Sequence, residues 1–177
     1  IAHVGRLVDG AAGPSPDHRH VFAAYADQTI SVWRASDGKS VVSDFKHRIG
    51  ISDCGMSPDS RWLFVSSGIE QTVAWADLQT LSNDSETPPT FNRKTFEFPI
   101  RRVAFHPTKP LLMIAGRTIE QGMIRILDLE SGDIVSEITE DELGDQSQEA
   151  LAAIRFLGYQ DKDKLLERWI GGRARQK

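Results

Sequence analysis

The chain has 177 residues, 21 Lys and Arg against 25 Asp and Glu for a net charge of −4, and 40% hydrophobic residues. These proportions describe a folded chain and exclude collagen-like, low-complexity and uniformly basic nucleic-acid-binding classes. The single cysteine, Cys54, excludes an intramolecular disulfide framework and leads to the expectation of a reducing, intracellular compartment, cytoplasmic or nuclear. No apolar run reaches the roughly 20 residues of a membrane-spanning helix, and the first residues lack a signal-peptide pattern. Ile1 stands where an initiator Met would, so the expectation is an excised piece of a longer protein.

In chain order, a strand over Arg6–Ala12 runs into the corner Ser15-Pro16-Asp17. A second strand follows over Val21–Tyr25, and a third over Gln28–Trp33 is closed by the turn Ala35-Ser36-Asp37-Gly38. A fourth is predicted over Ser40–Phe45. The order then repeats: Ile49–Met56, the corner Ser57-Pro58-Asp59, Leu63–Ser67, Gln71–Leu78 and Lys94–Phe98. It repeats again as Ile100–Phe105, the corner His106-Pro107-Thr108, Leu111–Ala115, Gly122–Leu129 and, past Glu130-Ser131-Gly132, Ile134–Ile138. Runs of β-branched and aromatic residues bounded by Gly, Pro, Asp and Ser are the signature of strands and turns.

Pro16, Pro58 and Pro107 recur at intervals of 42 and 49 residues. A period near 40–45 residues with four strands per unit is that of a β-propeller, whose blades are four-stranded antiparallel meanders. The expected fold is therefore all-β, with blade-like units over about residues 1–45, 46–98 and 99–138. An incomplete fourth lies over 150–177, where Ala153-Ile154-Arg155-Phe156 matches Arg102-Val103-Ala104-Phe105. The stretch Asp163–Trp169 reads equally as strand or short helix.

These units resemble the WD-repeat (Trp-Asp) β-propeller family, whose repeat pairs Gly-His near its start with Trp-Asp about thirty residues later. The first unit carries Ala2-His3, Asp27 and Trp33-Arg34; the second has His47 and Ala76-Asp77; the third has Leu127-Asp128 and no equivalent His. The resemblance covers about residues 1–160. It implies a structural network of His3, Asp27 and Trp33, incomplete because the strand before Asp27 offers Ala23 and Ala24 in place of a hydroxyl. His3 and Asp27 with a hydroxyl would also have the look of a catalytic triad, but nothing marks a nucleophile beside them.

Other constellations bear on chemistry. His18 and His20 alternate as metal ligands on one strand face would, yet no third ligand joins them and the segment sits at a turn. Cys54 falls on an inner strand and reads as small apolar packing. Gly171-Gly172 lacks the spacing and the Lys of a phosphate-binding loop. No catalytic, cofactor-binding or metal-binding motif is therefore assigned.

What remains is recognition. The resemblance implies that variable loops on the propeller's top face bind partners, and it projects Tyr25, Glu70, Arg117 and Glu120 there, with Ile69 and Asp27 beside them. Arg101, Arg102 and Lys46-His47-Arg48 fall near the same rim. The acidic run that includes Glu140, Asp141 and Glu142 joins the third unit to the fourth, where it could receive a basic peptide. The polar insertion from Ser82 to Thr90 reads as a surface loop. The leading expectation is a non-catalytic protein-interaction scaffold, part of a larger propeller, closed by the rest of its own chain or by self-association through open blade edges. A hydrolase- or lactonase-like propeller is the first alternative, and it would need polar groups such as Asp9 and Asp53 converging on the axis. An RNA-associated propeller is the second, resting on the basic rim and the tail Arg173-Ala174-Arg175-Gln176-Lys177.

Overall fold

A computed structural model describes residues 7–46, 50–80 and 89–139. It forms two compact units, the first reaching to Thr95 and the second starting at Phe96. Among the described residues, the fold is three four-stranded antiparallel sheets.

In the first unit, strands β1 (Leu7–Pro14), β2 (His20–Tyr25), β3 (Thr29–Arg34) and β4 (Ser40–Lys46) pair in sequence order as one blade. Strands β5 (Asp53–Met56), β6 (Trp62–Ser67), β7 (Thr72–Asp77) and β8 (Asn92–Thr95) form the second. Period-two alternation puts Phe22, Ala24, Ile30 and Val32 on the core face of the first blade, where they meet Cys54, Leu63, Val65 and Ala74 of the second. Strands β6 and β7 are buried on both faces, since Phe64, Val73 and Trp75 on the opposite side are enclosed as well. Cys54 sits inside this apolar cluster, and burial pushes its thiol up to about 12, with Asp53 adding to the effect. It is a packing residue.

The corners repeat atom by atom. Ser15 Oγ donates to Asp17 Oδ1 at 2.5 Å and accepts from His20 N at 2.9 Å. Ser57 Oγ donates to Asp59 Oδ1 at 2.5 Å and accepts from Trp62 N at 2.8 Å. His18 and Ser60, each three residues past its serine, take positive φ of 59° and 61° to close the turn. The Asp17 amide donates to Ser60 Oγ at 3.0 Å, linking the corners of the two blades. His18 therefore belongs to a turn and His20 to a strand, so the two do not share a strand face.

In the second unit, β9 (Ile100–Phe105), β10 (Leu111–Arg117), β11 (Gly122–Asp128) and β12 (Ile134–Thr139) complete a third blade. His106 stands where the other corners have serine, and its Nδ1 accepts from the amides of Thr108 and Lys109, each at 3.1 Å. The turn after the third strand is also shared. Gly38 and Gly132 adopt φ of 68° and 77°, a region where a side chain is strained, and donate to the carbonyls of Arg34 and Asp128.

Two strands differ from expectation. The last strand of the second unit was expected over Lys94–Phe98, but β8 ends at Thr95. Phe96 and Phe98 belong to the second unit instead, their rings tilted at 5.6 Å, with Phe98 fully enclosed. The alternation of Phe96 and Phe98 mimics a strand, but it serves packing ahead of β9. The inner strand was expected from Ile49, which lies outside the described residues, and β5 begins at Asp53; just ahead of it, Ser52 N donates to Ser66 O and Ser52 Oγ accepts from Gly68 N. The incomplete fourth unit expected over residues 150–177 lies outside the described residues, as does the segment 81–88.

Candidate functional site

The hairpin turns between the second and third strands of each blade carry the residues expected to meet partners. In the first blade, Asp27 Oδ1 accepts from Thr29 N at 3.1 Å and Thr29 Oγ1 at 2.7 Å, so its carboxylate organises its own turn. Trp33 is half-buried in β3 between Val21 and Ser40 of the neighbouring strands. His3, the remaining member of the expected network, lies outside the described residues. Tyr25 was expected on the rim and is instead buried at 9% exposure, pairing with Leu7 at the end of β2.

The second blade ties its turn to the connection that precedes it. Glu70 Oε2 takes a short hydrogen bond from Ser67 Oγ, and Glu70 Oε1 accepts from Gly50 N at 3.1 Å. Ser67 Oγ in turn accepts from Glu70 N at 3.2 Å, and Gln71 turns the corner with φ of 55°. The carboxylate of Glu70 is thus engaged inside the blade. Its neighbour Ile69 is 89% exposed. The turn presents an isoleucine and holds the glutamate.

The third blade repeats this with a different staple. Thr118 N donates to Gln121 O at 2.9 Å, while Thr118 Oγ1 accepts from the amides of Glu120 and Gln121 at 3.2 and 3.1 Å. Ile119 at its tip is 99% exposed, and Glu120 is exposed beside it. Arg117, ending β10, is half-buried. Arg101 and Arg102 are both exposed at the start of β9, the terminal strand of the sheet on the inner side of the meander. Glu140, Asp141 and Glu142 lie outside the described residues, as do His47 and Arg48.

The triplet Ile69-Glu70-Gln71, repeated as Ile119-Glu120-Gln121 and matched by Ala26-Asp27-Gln28, is a sequence signal that could have found these tips. It was legible as a repeat, but exposure of the isoleucines was not, because a hydrophobic residue beside a strand normally reads as core. No group of three or more His, Cys, Asp or Glu side chains converges among the described residues. Among them, too, no helix is long and apolar enough to cross a membrane.

Comparison with known proteins agrees with this architecture. The family described as "WD domain, G-beta repeat" matches residues 2–34. Elongator complex protein 2 of Rattus norvegicus is 30% identical over 87 residues, covering 42% of this chain and 11% of that protein. The Mus musculus protein of the same name is 29% identical over 87 residues, covering 42% of this chain and 10% of its own length. The chain therefore spans about a tenth of these curated relatives. Among solved structures, the RRP9 WD40 repeats and U3-55K each align with a TM-score of 0.59 at 13% identity, over 78% of this chain and 40% of theirs. Hydrazine synthase of Kuenenia stuttgartiensis aligns with a TM-score of 0.57 at 18% identity, over 73% of this chain and 36% of that one. At such identities the structural likenesses show the fold alone.

Proposed function

We propose, from the premise that this chain is built of WD-repeat propeller blades, that it is a non-catalytic scaffold docking partner proteins on the blade ends that bear the Ile69 and Ile119 turns. WD-repeat domains generally mediate protein interactions, and the name of the curated relative places that relative in a complex. For this chain the corresponding reading is a subunit of a multiprotein assembly.

The observation that carries the reading is the pairing of rigid turns with exposed isoleucines. Each tip is closed by side-chain hydrogen bonds from within its own blade, so ordering it on binding costs little conformational entropy. Each then holds an aliphatic side chain almost wholly in water, at 89% and 99% exposure, where burial by a partner is favourable by about 1.5–3 kcal/mol.

The test is affinity capture with the 177-residue chain, followed by quantitation of captured protein for variants at each end of the blades. Ile69→Glu with Ile119→Glu is expected to remove most capture. Arg19→Glu with Lys109→Glu, exposed residues at the Pro corners, is expected to leave it intact. Capture insensitive to the isoleucine pair, or lost only with the corner pair, overturns the assignment.

A further inference from the structure

The alternation of β9 breaks where its arginines lie. A strand with one face buried reads buried-exposed by twos, but β9 runs Ile100 buried, Arg101 and Arg102 both exposed, Val103 buried. The register shows why. Ile100 pairs with Gly116 and Arg102 with Ala115, so Arg101 is the extra residue of a β-bulge. A bulge re-aims a side chain, and here it leaves two successive guanidiniums in solvent. Arg102 Nη1 donates to the Arg101 carbonyl at 2.9 Å, which pins the second of them.

Among the described residues, these two charges have no acidic partner. Arg34, Arg61 and Arg125 each sit on a carboxylate, whereas no carboxylate among the described residues lies within ion-pair distance of Arg101 or Arg102. In a chain of net charge −4 this is a local inversion of sign. Ile119 lies at the same end of the same blade, three residues past Gly116, which faces Ile100. Strand spacing and rise place the tip about 10 Å from the bulge, a distance that about three residues of extended peptide span.

We propose that this end of the third blade binds an extended acidic peptide segment, its carboxylates on Arg101 and Arg102 and an aliphatic residue about three positions away on Ile119. The proposal rests on the docking reading above and specifies the chemistry of the partner. Paired carboxylates suit guanidinium forks, and the apolar tip supplies contact that a charge alone lacks. A phosphate backbone fits less well, because the isoleucine and the exposed Glu120 interrupt any basic stripe.

A random-peptide library selected on the full 177-residue chain tests it, with circular dichroism confirming that each variant is folded. The expected result is enrichment of sequences with two or more Asp or Glu near an aliphatic residue. The tightest of these should bind at least about tenfold more weakly to Arg101→Gln/Arg102→Gln and to Ile119→Ser, and normally to the charge-matched control Arg19→Gln/Lys39→Gln. Their affinity should also fall as salt rises. Enriched peptides without acidic bias, or indifferent to the arginine pair, overturn this proposal and leave the docking reading standing. No enrichment at all counts against both. Arginine-dependent retention of a polyuridine RNA without acidic peptides overturns it in favour of a phosphate ligand. Binding that emerges only when Glu140, Asp141 and Glu142 are changed to Gln makes the chain's own acidic run the occupant, and also overturns it.

Discussion

Ser57 holds its corner by two hydrogen bonds through one oxygen, donating to Asp59 and accepting the amide of Trp62, and it is 4% exposed. Alanine there leaves the buried Trp62 N–H without that acceptor, so Ser57→Ala is expected to cost about 1–3 kcal/mol, read as a lower urea midpoint with unchanged slope. The third corner performs the same task with an imidazole, and that makes it pH-sensitive. His106 Nδ1 must be unprotonated to accept from Thr108 N and Lys109 N. Burial first, and then the charge of Lys109, holds its pKa below the ordinary 6.5. As pH falls, the unfolded chain takes up this proton before the folded one does. The stabilisation is therefore complete above 6.5 and is lost as pH falls from there through the folded value. Between pH 7 and 5 the wild-type melting temperature should fall more steeply than that of His106→Asn, whose amide oxygen accepts the same bonds without titrating. Parallel profiles for the two proteins would contradict this.

Two packing arrangements in the third blade separate what strand patterns reveal from what they conceal. A Cβ built on Gly116 would collide with the ring of Phe98 and the carbonyl of Pro99, and a carbonyl cannot swing aside as a side-chain tip can. Gly116→Ala is thus expected to destabilise the blade by about 1–3 kcal/mol or more, measured by chemical denaturation. Arg125, 7% exposed on β11, forms ion pairs with Glu97 and, at 2.8 Å, with Glu137, and its guanidinium lies 5.6 Å from the Phe98 ring centre. The asymmetry of burial decides which partner matters. Both glutamates are about half exposed and can be hydrated alone, whereas the cation cannot. Removing both carboxylates as Glu97→Gln/Glu137→Gln should therefore cost about 3 kcal/mol, and Arg125→Met clearly less. The reverse order in urea unfolding would refute the argument. Most strands were legible in the sequence because alternation and the Ser-Pro-Asp corner are local signals. The seat of Phe98 on Gly116 is not local, and so Phe98 read as part of a strand. The bulge at Arg101 was equally hidden, since one extra residue in a register has no compositional mark. Tyr25 read as a rim residue by resemblance, but it is buried at the end of β2.

Propellers close with roughly four to eight blades, because closure leaves only short, protected edges. The described residues hold three four-stranded sheets, in each of which the fourth strand lies at the edge. These outer strands are not equally defended. β8 is four residues long and carries Arg93 and Lys94, both means by which edges resist pairing. β4 is seven residues long, with Asp44 and Lys46 in its sequence. β12 is six residues long, has no basic residue, and leaves Val135 55% exposed. Of the three it is the one most open to pairing with another strand. The 177-residue chain on its own is therefore expected to self-associate, giving concentration-dependent species above its 19.7 kDa monomer mass in sedimentation velocity. Val135→Lys should shift that equilibrium toward monomer, because a cation on the edge opposes the approach of a second strand. The same change on the shorter β8, Asn92→Lys, should leave it nearly unmoved. A monodisperse monomer at all concentrations would refute the self-association, and association indifferent to Val135→Lys would place it on some surface other than β12.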